Sequence, residues 1–499
     1  KRLYNIADMK WTLPGLWLGY LLLMAFLLWL GTGIFFTDPY FQWTRVTSPY
    51  KTVIDEHGVI KLEEVHTPTF RTDWFSRMTA LTRTGLRIVM YRWLPEPSLG
   101  RTETEVVQQL HQLRFNPEKP YVITGAHYSD LYVRNLGIFF NELLNPAIGT
   151  EEDLLLRRRI ALQTVALDVA YLRANGKLVT TIVPLGGSQF TGLNIYAEPS
   201  DSLHGVLYTL QTLRQSAPSR PTALKLVHDN KVALQQELHR YLLTVIDPET
   251  LVVRRDVVLS GARDGVKRQA AFFDSVIAWK TVSLARQLDL VDEATWPVEL
   301  RPLLDEDSWK EKIIAQYWQE DKGYFANDLS DTTDRPFGGD SLVAFSTGFL
   351  NPKKPQDLAK LQRMVAHIQQ EKLDQPFPLG YSRSNTQNEM HLTVKVFAPG
   401  YMGEGIWSHW GIEYIKVLLA LSQTRTEHAC RYLGQARDFL AKYEQNIIQS
   451  GGYPELYQKN GQLFQTLALR SVLHSGWVVN YEAAQVVAKR YLSTTSCQF

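Results

Sequence analysis

Cysteine is almost missing from this chain: Cys430 and Cys497 are the only two in 499 residues. Cys430 lies within a helical pattern and Cys497 in the terminal tail, so their placement implies neither a disulfide framework nor a metal cluster. No N-x-S/T sequon occurs, and an exported domain lacking both features fits a bacterial envelope better than a eukaryotic secretory route. Neither a G-x-G-x-x-G nor a P-loop is present, which removes the usual signatures of dinucleotide and nucleoside-triphosphate binding. An Asp-rich metal motif is also missing, so neither a metal nor another cofactor is expected. Charge of one sign is not in excess: the net charge is +2 with acids and bases interspersed, which excludes an evident nucleic-acid surface. Alternating strand patterns are few, and no period of roughly 20–50 residues recurs, so a regular solenoid is excluded.

Charge is wholly absent between Lys10 and Asp38, and Leu13–Phe36 is an apolar run rich in Leu, Trp and Phe. A bilayer core of about 30 Å needs about 20 such residues in a helix, whereas a cleaved signal has an apolar stretch of only ~7–15 and a small-residue exit. Trp11, Trp17, Trp29, Tyr40 and Trp43 flank or punctuate the run as an interfacial aromatic pattern. The expectation is a single N-terminal transmembrane helix in residues 1–40 and a membrane-proximal stalk in 41–100. One large domain, 101–499, follows. Lys1, Arg2 and Lys10 precede the run, so the positive-inside tendency places that domain outside the cytoplasm. The lipid bilayer is thus one expected partner.

Beyond the Pro-rich break Trp93–Gly100, apolar residues recur at helical spacing. Leu203, Leu207, Leu210 and Leu213 follow a Ser200–Asp201 cap, and Trp410, Tyr414, Val417, Leu418 and Leu421 mark one face. Similar patterns occupy Glu103–Phe115, Leu131–Leu144, Asp153–Asn175, Asn230–Ile246, Gln269–Leu288, Asp307–Trp318, Pro355–Lys372, Ala429–Ile447 and Asn480–Tyr491. About a dozen helices in successive hairpins, with little sheet, predict an all-α fold of the (α/α)6 toroid type.

Polar and aromatic residues concentrate in the loops between these patterns. In G-A-H-Y-S-D-L-Y-V-R-N-L-G, Asp130 and Arg134 are four apart, so on a helix they pair or jointly hold sugar hydroxyls. In L-S-G-A-R-D-G-V-K-R-Q, Asp264 stands between Arg263 and Arg268, as a helix cap or as an acid whose pKa burial must raise. Asp274 is a rival carboxylate, and Asp340 in G-G-D-S reads as a cap. F-A-P-G-Y-M-G-E-G-I-W-S-H-W-G crowds Glu404, Trp407, His409 and Trp410 among glycines that let a ligand approach the backbone. Trp407, with Trp410 behind it, is a candidate stacking wall and Glu404 a second carboxylate. In S-G-G-Y-P-E-L-Y-Q-K-N-G, Gly451 and Gly452 end a helix, and Glu455 follows Pro454 on non-helical backbone. Aromatics make up 11% of the chain, including 13 Trp and 23 Tyr, which suits either a large core or a sugar-lined cleft.

In order and spacing these loops resemble the six-hairpin glycosidases, the superfamily of trehalases, glucoamylases and amylo-α-1,6-glucosidase-type enzymes. S-G-A-R-D-G-V-K-R is similar to the S-G-x-D-x-S-x-R loop of the trehalase-like branch, with one extra residue before Asp264 and with Gly265 and Val266 off pattern. The resemblance gives Asp264 the general acid's role and Arg268 a place at the substrate. G-E-G-I-W-S-H-W-G resembles the G-x-x-W-P-type helix start, with Ser408 in place of Pro. G-G-Y-P-E-L-Y-Q-K-N-G resembles the loop carrying the general base, which implies that role for Glu455. Y-S-D-L-Y-V-R-N is similar to the substrate-clamping R-D segment, with Asn135 where Asp is usual. The implied activity is inverting hydrolysis of α-linked glucosides or related glycans, with a carbohydrate as substrate. In that mechanism the two carboxyl groups lie ~6.5–9.5 Å apart. A catalytically altered glycan-binding or scaffold protein on the same toroid is the alternative. A polysaccharide lyase would instead draw on His127, Tyr128 and His409.

Overall fold

The computed structural model describes residues 20–26, 46–494 and 497, apart from 94–95, 126–127, 195, 264, 331–335, 384–389 and 425–427. Of the apolar run 13–36, residues 20–26 are described and helical, and the remainder lies outside the described residues. Among the described residues no helix is long and apolar enough to cross a membrane.

Helix starts follow local chemistry. Thr102 and Glu105 form a capping box on α2 (Glu103–Arg114), as Thr150 and Asp153 do on α3 (Glu151–Asn175). Each box satisfies two backbone donors that would otherwise lack partners. α1 (Trp74–Trp93) precedes them. After them come α4 (Ser202–Gln215), α5 (Arg220–Asp229), α6 (Lys231–Val245), α7 (Phe272–Gln287) and α8 (Glu306–Tyr317). α9 (Val343–Ser346), α10 (Pro355–Gln370), α11 (Leu392–Phe397), α12 (Ser408–Ser422), α13 (Ala429–Ser450) and α14 (Val478–Thr494) complete the order.

The packing closes a ring. The 3₁₀ turn Val133–Leu136 contacts α4, α4 contacts α7, α7 contacts α9, α9 contacts α12, and α12 contacts α14. Asn480 of α14 closes the circle: its side-chain amide donates to the Phe139 carbonyl at 2.8 Å and its oxygen accepts from the Glu142 amide at 3.3 Å. α7 and α12 are buried on almost every side, as ring-wall helices must be. Outside them, α3 backs α4, α8 backs α7, α10 and α13 back α12, and α2 packs on α13. The amphipathic outer helices bury one stripe each; α13 buries Tyr432, Leu433, Ala436, Phe439, Leu440, Tyr443 and Ile447. Among the described residues six outer-to-inner pairs result, and their connections 115–132, 176–201, 246–271, 318–338, 371–407 and 451–477 are bonded to one another at one end.

Three expectations need correction. The pattern Leu131–Leu144 is not an α-helix: it holds the strand pairing Leu131–Tyr132, the 3₁₀ turn and further turns. Gly137 lets the chain pass close to α4 here: a Cβ there would lie 2.5 Å from His204 Nδ1 and 3.0 Å from Gly205 Cα. Next, the chain is not purely helical. A four-stranded sheet orders β3 (Thr69–Arg71), β6 (Gln189–Leu193), β5 (Thr181–Gly186) and β4 (Leu131–Tyr132), after a hairpin of β1 (Tyr50–Ile54) and β2 (Ile60–Glu64). α1 packs on β5 and β6, and β1 on α3, so residues 46–93 lie against the ring. Finally, Cys430 and Cys497 are bonded to each other, with Cα atoms 5.5 Å apart. α13 and α14 run back along one another, and that return brings the two ends together.

Candidate active site

Glu455 is held from both sides by backbone. Gly451, at φ 61°, ends α13 in the left-handed region that glycine favours, and Tyr453 then bridges to His474. The Glu455 amide donates to Val472 O at 2.9 Å, while its carbonyl accepts from the Ser408 amide at 3.0 Å and the Ser408 hydroxyl at 2.9 Å. The next residues pair Leu456 with Trp407. The fourth and fifth loops of the sequence thus meet at Glu455.

Glu455 is 6% exposed, and its carboxyl has no hydrogen bond among the described residues. Burial pushes its pKa up to about 8; the neighbouring Glu96 adds to the rise and Arg134 opposes it. A carboxyl neither paired nor fully solvated is costly unless it serves a purpose. Beside it stand Tyr401, whose ionisation burial and the nearby tyrosine and carboxylate disfavour, and Tyr128, whose hydroxyl lies 3.2 Å from that of Tyr401. Trp407 completes the wall: its indole N–H donates to Tyr401 O at 2.9 Å, and its ring meets the Tyr401 ring edge-on at 4.9 Å. Sequence reasoning passed over Tyr401, although it follows Gly400 in the same glycine-rich loop.

Asp264 lies outside the described residues, but its flanks are tied down. Arg134 Nη1 donates to Gly261 O at 2.6 Å, Arg263 Nε to Met402 O at 2.9 Å, and the His391 amide to Gly265 O at 2.7 Å. Arg134 therefore reaches both the Asp264 loop and the neighbourhood of Glu455.

Other candidates are placed differently from their sequence reading. Asp130 does not pair with Arg134; it is buried and accepts from Thr84 at 2.8 Å and from Arg87, both on α1. Asp130 precedes a strand and Arg134 sits in a 3₁₀ turn, so the α-helical four-residue spacing does not apply. Arg268 is committed to an ion pair through one nitrogen: its Nη1 donates to Asp340 Oδ2 at 2.5 Å and to Asn327 Oδ1 at 3.4 Å, both partners buried. Asp340 accordingly serves an ion pair rather than a helix cap. Trp410 is not behind Trp407 at a pocket but inside the ring wall, against Phe139, Phe273 and His409. Glu404 sits at the outer rim, with Lys459 Nζ 2.8 Å away. Asp274 is buried near Gly261, where a Cβ would lie 2.9 Å from its Oδ1.

Two predictions arise. Glu404→Gln leaves turnover within about fivefold, because a rim ion pair contributes at most ~1 kcal/mol; steady-state kinetics check it. Trp407 is only 5% exposed, so Trp407→Ala costs ~3–5 kcal/mol of stability, measured by denaturant unfolding. An unchanged midpoint would show that the indole faces an open pocket after all.

Among the described residues no group of three or more His, Cys, Asp or Glu side chains is placed to hold a metal ion. Two surface grooves, of about 500 and 480 Å³, lie elsewhere. One is lined by Asp247, Arg254 and Gln316, the other by Tyr50, Ala166 and Lys225.

No protein-family profile matches the chain, and no curated protein is similar to it. Solved structures are. A rhamnosidase from Klebsiella oxytoca with rhamnose bound has 10% identity and a TM-score of 0.49 over 80% of this chain and 66% of its own. A GH63 mannosylglycerate hydrolase from Thermus thermophilus has 12% identity and a TM-score of 0.46, over 79% of this chain and 100% of its own. Neutral trehalase from Saccharomyces cerevisiae has 13% identity and a TM-score of 0.48, over 75% of each.

Proposed function

We propose that the chain is a glycoside hydrolase, inverting, acting on α-linked glucosides or related glycans. The observation that supports this most is the buried Glu455 carboxyl, without a hydrogen-bond partner among the described residues, beside Tyr401, Trp407 and Arg134, at the end where the outer-to-inner connections gather. In this reading Glu455 is the base: ionised, it takes a proton from water as the water attacks the anomeric carbon. Asp264 is the acid that protonates the departing glycosidic oxygen. Arg134, tied to Gly261 of the Asp264 loop, holds the two loops in register. An inverting reaction separates the carboxyl groups by ~6.5–9.5 Å to admit that water, and the resemblance of the two loops to the trehalase-like acid and base motifs assigns the roles.

The test is a screen of aryl α-glycosides and disaccharides with the wild-type chain and Glu455→Gln in parallel, the anomer of the first product read by NMR. Hydrolysis lost in the variant, with inverted product, supports the reading. Binding of glycans without turnover by either protein assigns the ring to recognition instead.

The apolar run 13–36 serves as a membrane anchor in this reading, with the ring outside the cytoplasm. The expected result is that alkaline carbonate leaves the full chain in the membrane pellet; release into the supernatant would refute the anchor.

A further inference from the structure

α1 is built inside out. It carries Arg77, Arg83, Arg87 and Arg92 and no carboxylate, yet two of those arginines face inward. Arg83 donates to Leu185 O at 3.2 Å, and Arg87 is buried against Asp130. The opposite face is apolar and exposed. Trp74, Met78, Leu81 and Val89 share one stripe at helical spacing, with Trp74 74% and Leu81 56% exposed, and Trp93 is exposed at the last residue. A helix on a water-facing surface shows the reverse arrangement. Scattered single apolar residues on a surface need no explanation, but a contiguous set does.

The stripe does not end with the helix. Arg92 Nε donates to Thr466 O at 2.5 Å, and the Thr466 hydroxyl donates to Phe397 O at 2.7 Å. Those contacts join the end of α1 to Leu467, which is 77% exposed, and to Leu392, Val396 and Phe397 of α11, all exposed. These elements belong to different outer-to-inner connections or are bonded to them, so the apolar surface rims the end of the ring that carries Glu455. Exposed Arg71, Arg77 and Lys395 lie along it.

The geometry points to a lipid bilayer as the occupant of this surface: α1 and α11 lie in the interface, apolar stripe inward, with anionic headgroups at Arg71, Arg77 and Lys395. Three observations select a bilayer over a protein partner. Trp74 and Trp93 stand at the two ends of α1, and tryptophan concentrates at the membrane interface. The exposed charges along the stripe, Arg71, Arg77 and Lys395, outnumber Asp73 at the helix start and are complementary to anionic lipid. The chain's own uncharged run, Leu13–Phe36, ends less than forty residues before Trp74. This inference does not depend on the hydrolytic reading.

The test uses the full chain in vesicles of phosphatidylcholine and phosphatidylglycerol. Both native cysteines are bonded to each other, so a single introduced cysteine carries an environment-sensitive fluorophore at Leu81→Cys, Val396→Cys or Leu467→Cys. Val298→Cys, exposed on a return loop at the far end of the ring, is the control. Spin-labelled lipid should quench the first three labels several-fold and leave the control unchanged, with quenching reduced when phosphatidylglycerol is omitted. Equal, weak quenching at all four positions would overturn the proposal. So would protection of the three labels from aqueous iodide in detergent that depends on protein concentration, which would give the surface to a second copy of the chain. Loss of the effect on omitting residues 13–36 would overturn it as well, because the surface would then be a passive neighbour of the anchor.

Discussion

Glu455→Gln lowers turnover by roughly 10²–10⁴-fold, the usual loss on removing a positioned proton acceptor, and the folded protein survives because side-chain volume hardly changes. The pH dependence separates this from a structural effect. Burial and Glu96 put the carboxyl at about pH 8, and a base works only when ionised. The rate under limiting substrate therefore rises as pH passes upward through about 8, and Glu455→Gln flattens that limb. A fall across the same interval would give Glu455 the acid's part. Stability moves in the opposite sense. The folded pKa lies above the ordinary value of 4.5, so the neutral form stabilises the fold below 4.5, and that contribution is lost as pH rises through about 8. Glu455→Gln therefore melts higher than wild type at pH 8–9 and equally near pH 4. A variant less active and less stable at every pH would mark Glu455 as a packing residue.

That Glu455 lies off any helix was legible because the signal is local. Two glycines stop a helix, a proline bars the next from starting, and a carboxylate placed there lies off any helical face. Helix positions were legible for the same reason: the pattern Pro355–Lys372 becomes α10 over Pro355–Gln370, and Asp307–Trp318 becomes α8 over Glu306–Tyr317. What failed depended on distant partners. Nothing near Asp130 announces that Arg87, 43 residues earlier, takes its charge, so the neighbouring Arg134 looked like the partner. Trp407 and Trp410 look alike in sequence, but one closes a two-strand pairing and the other turns into the ring wall. The Cys430–Cys497 bond spans 67 residues and exists because two helices return antiparallel, a fact of packing that spacing does not carry. The inward arginines of α1 are the same kind of fact: the helical period is visible in the sequence, whereas which side meets protein is decided by Asp130 and Leu185 O.

Arg268→Met is expected to destabilise the ring rather than weaken substrate binding. The resemblance put Arg268 at the substrate, but its guanidinium already donates to Asp340 at 2.5 Å, 72 residues away, with both side chains buried. Asp340 opens the short inner member of the fourth pair and Arg268 leads into the third, α7. The pair thus ties adjacent ring members where the outer-to-inner connections meet. Removing one charge leaves the other buried and unpaired, which costs ~3–5 kcal/mol. Replacing both, as Arg268→Met with Asp340→Leu, recovers much of that loss, because the double variant strands no charge. A double-mutant cycle by denaturant unfolding gives the coupling directly. Were Arg268 instead a substrate contact, the single variant would keep its unfolding midpoint and lose affinity for the glycan, and Asp340→Leu would not restore what Arg268→Met removed. The buried geometry favours the first outcome, since removing the guanidinium strands the buried Asp340 carboxylate whether or not its other N–H groups meet a sugar.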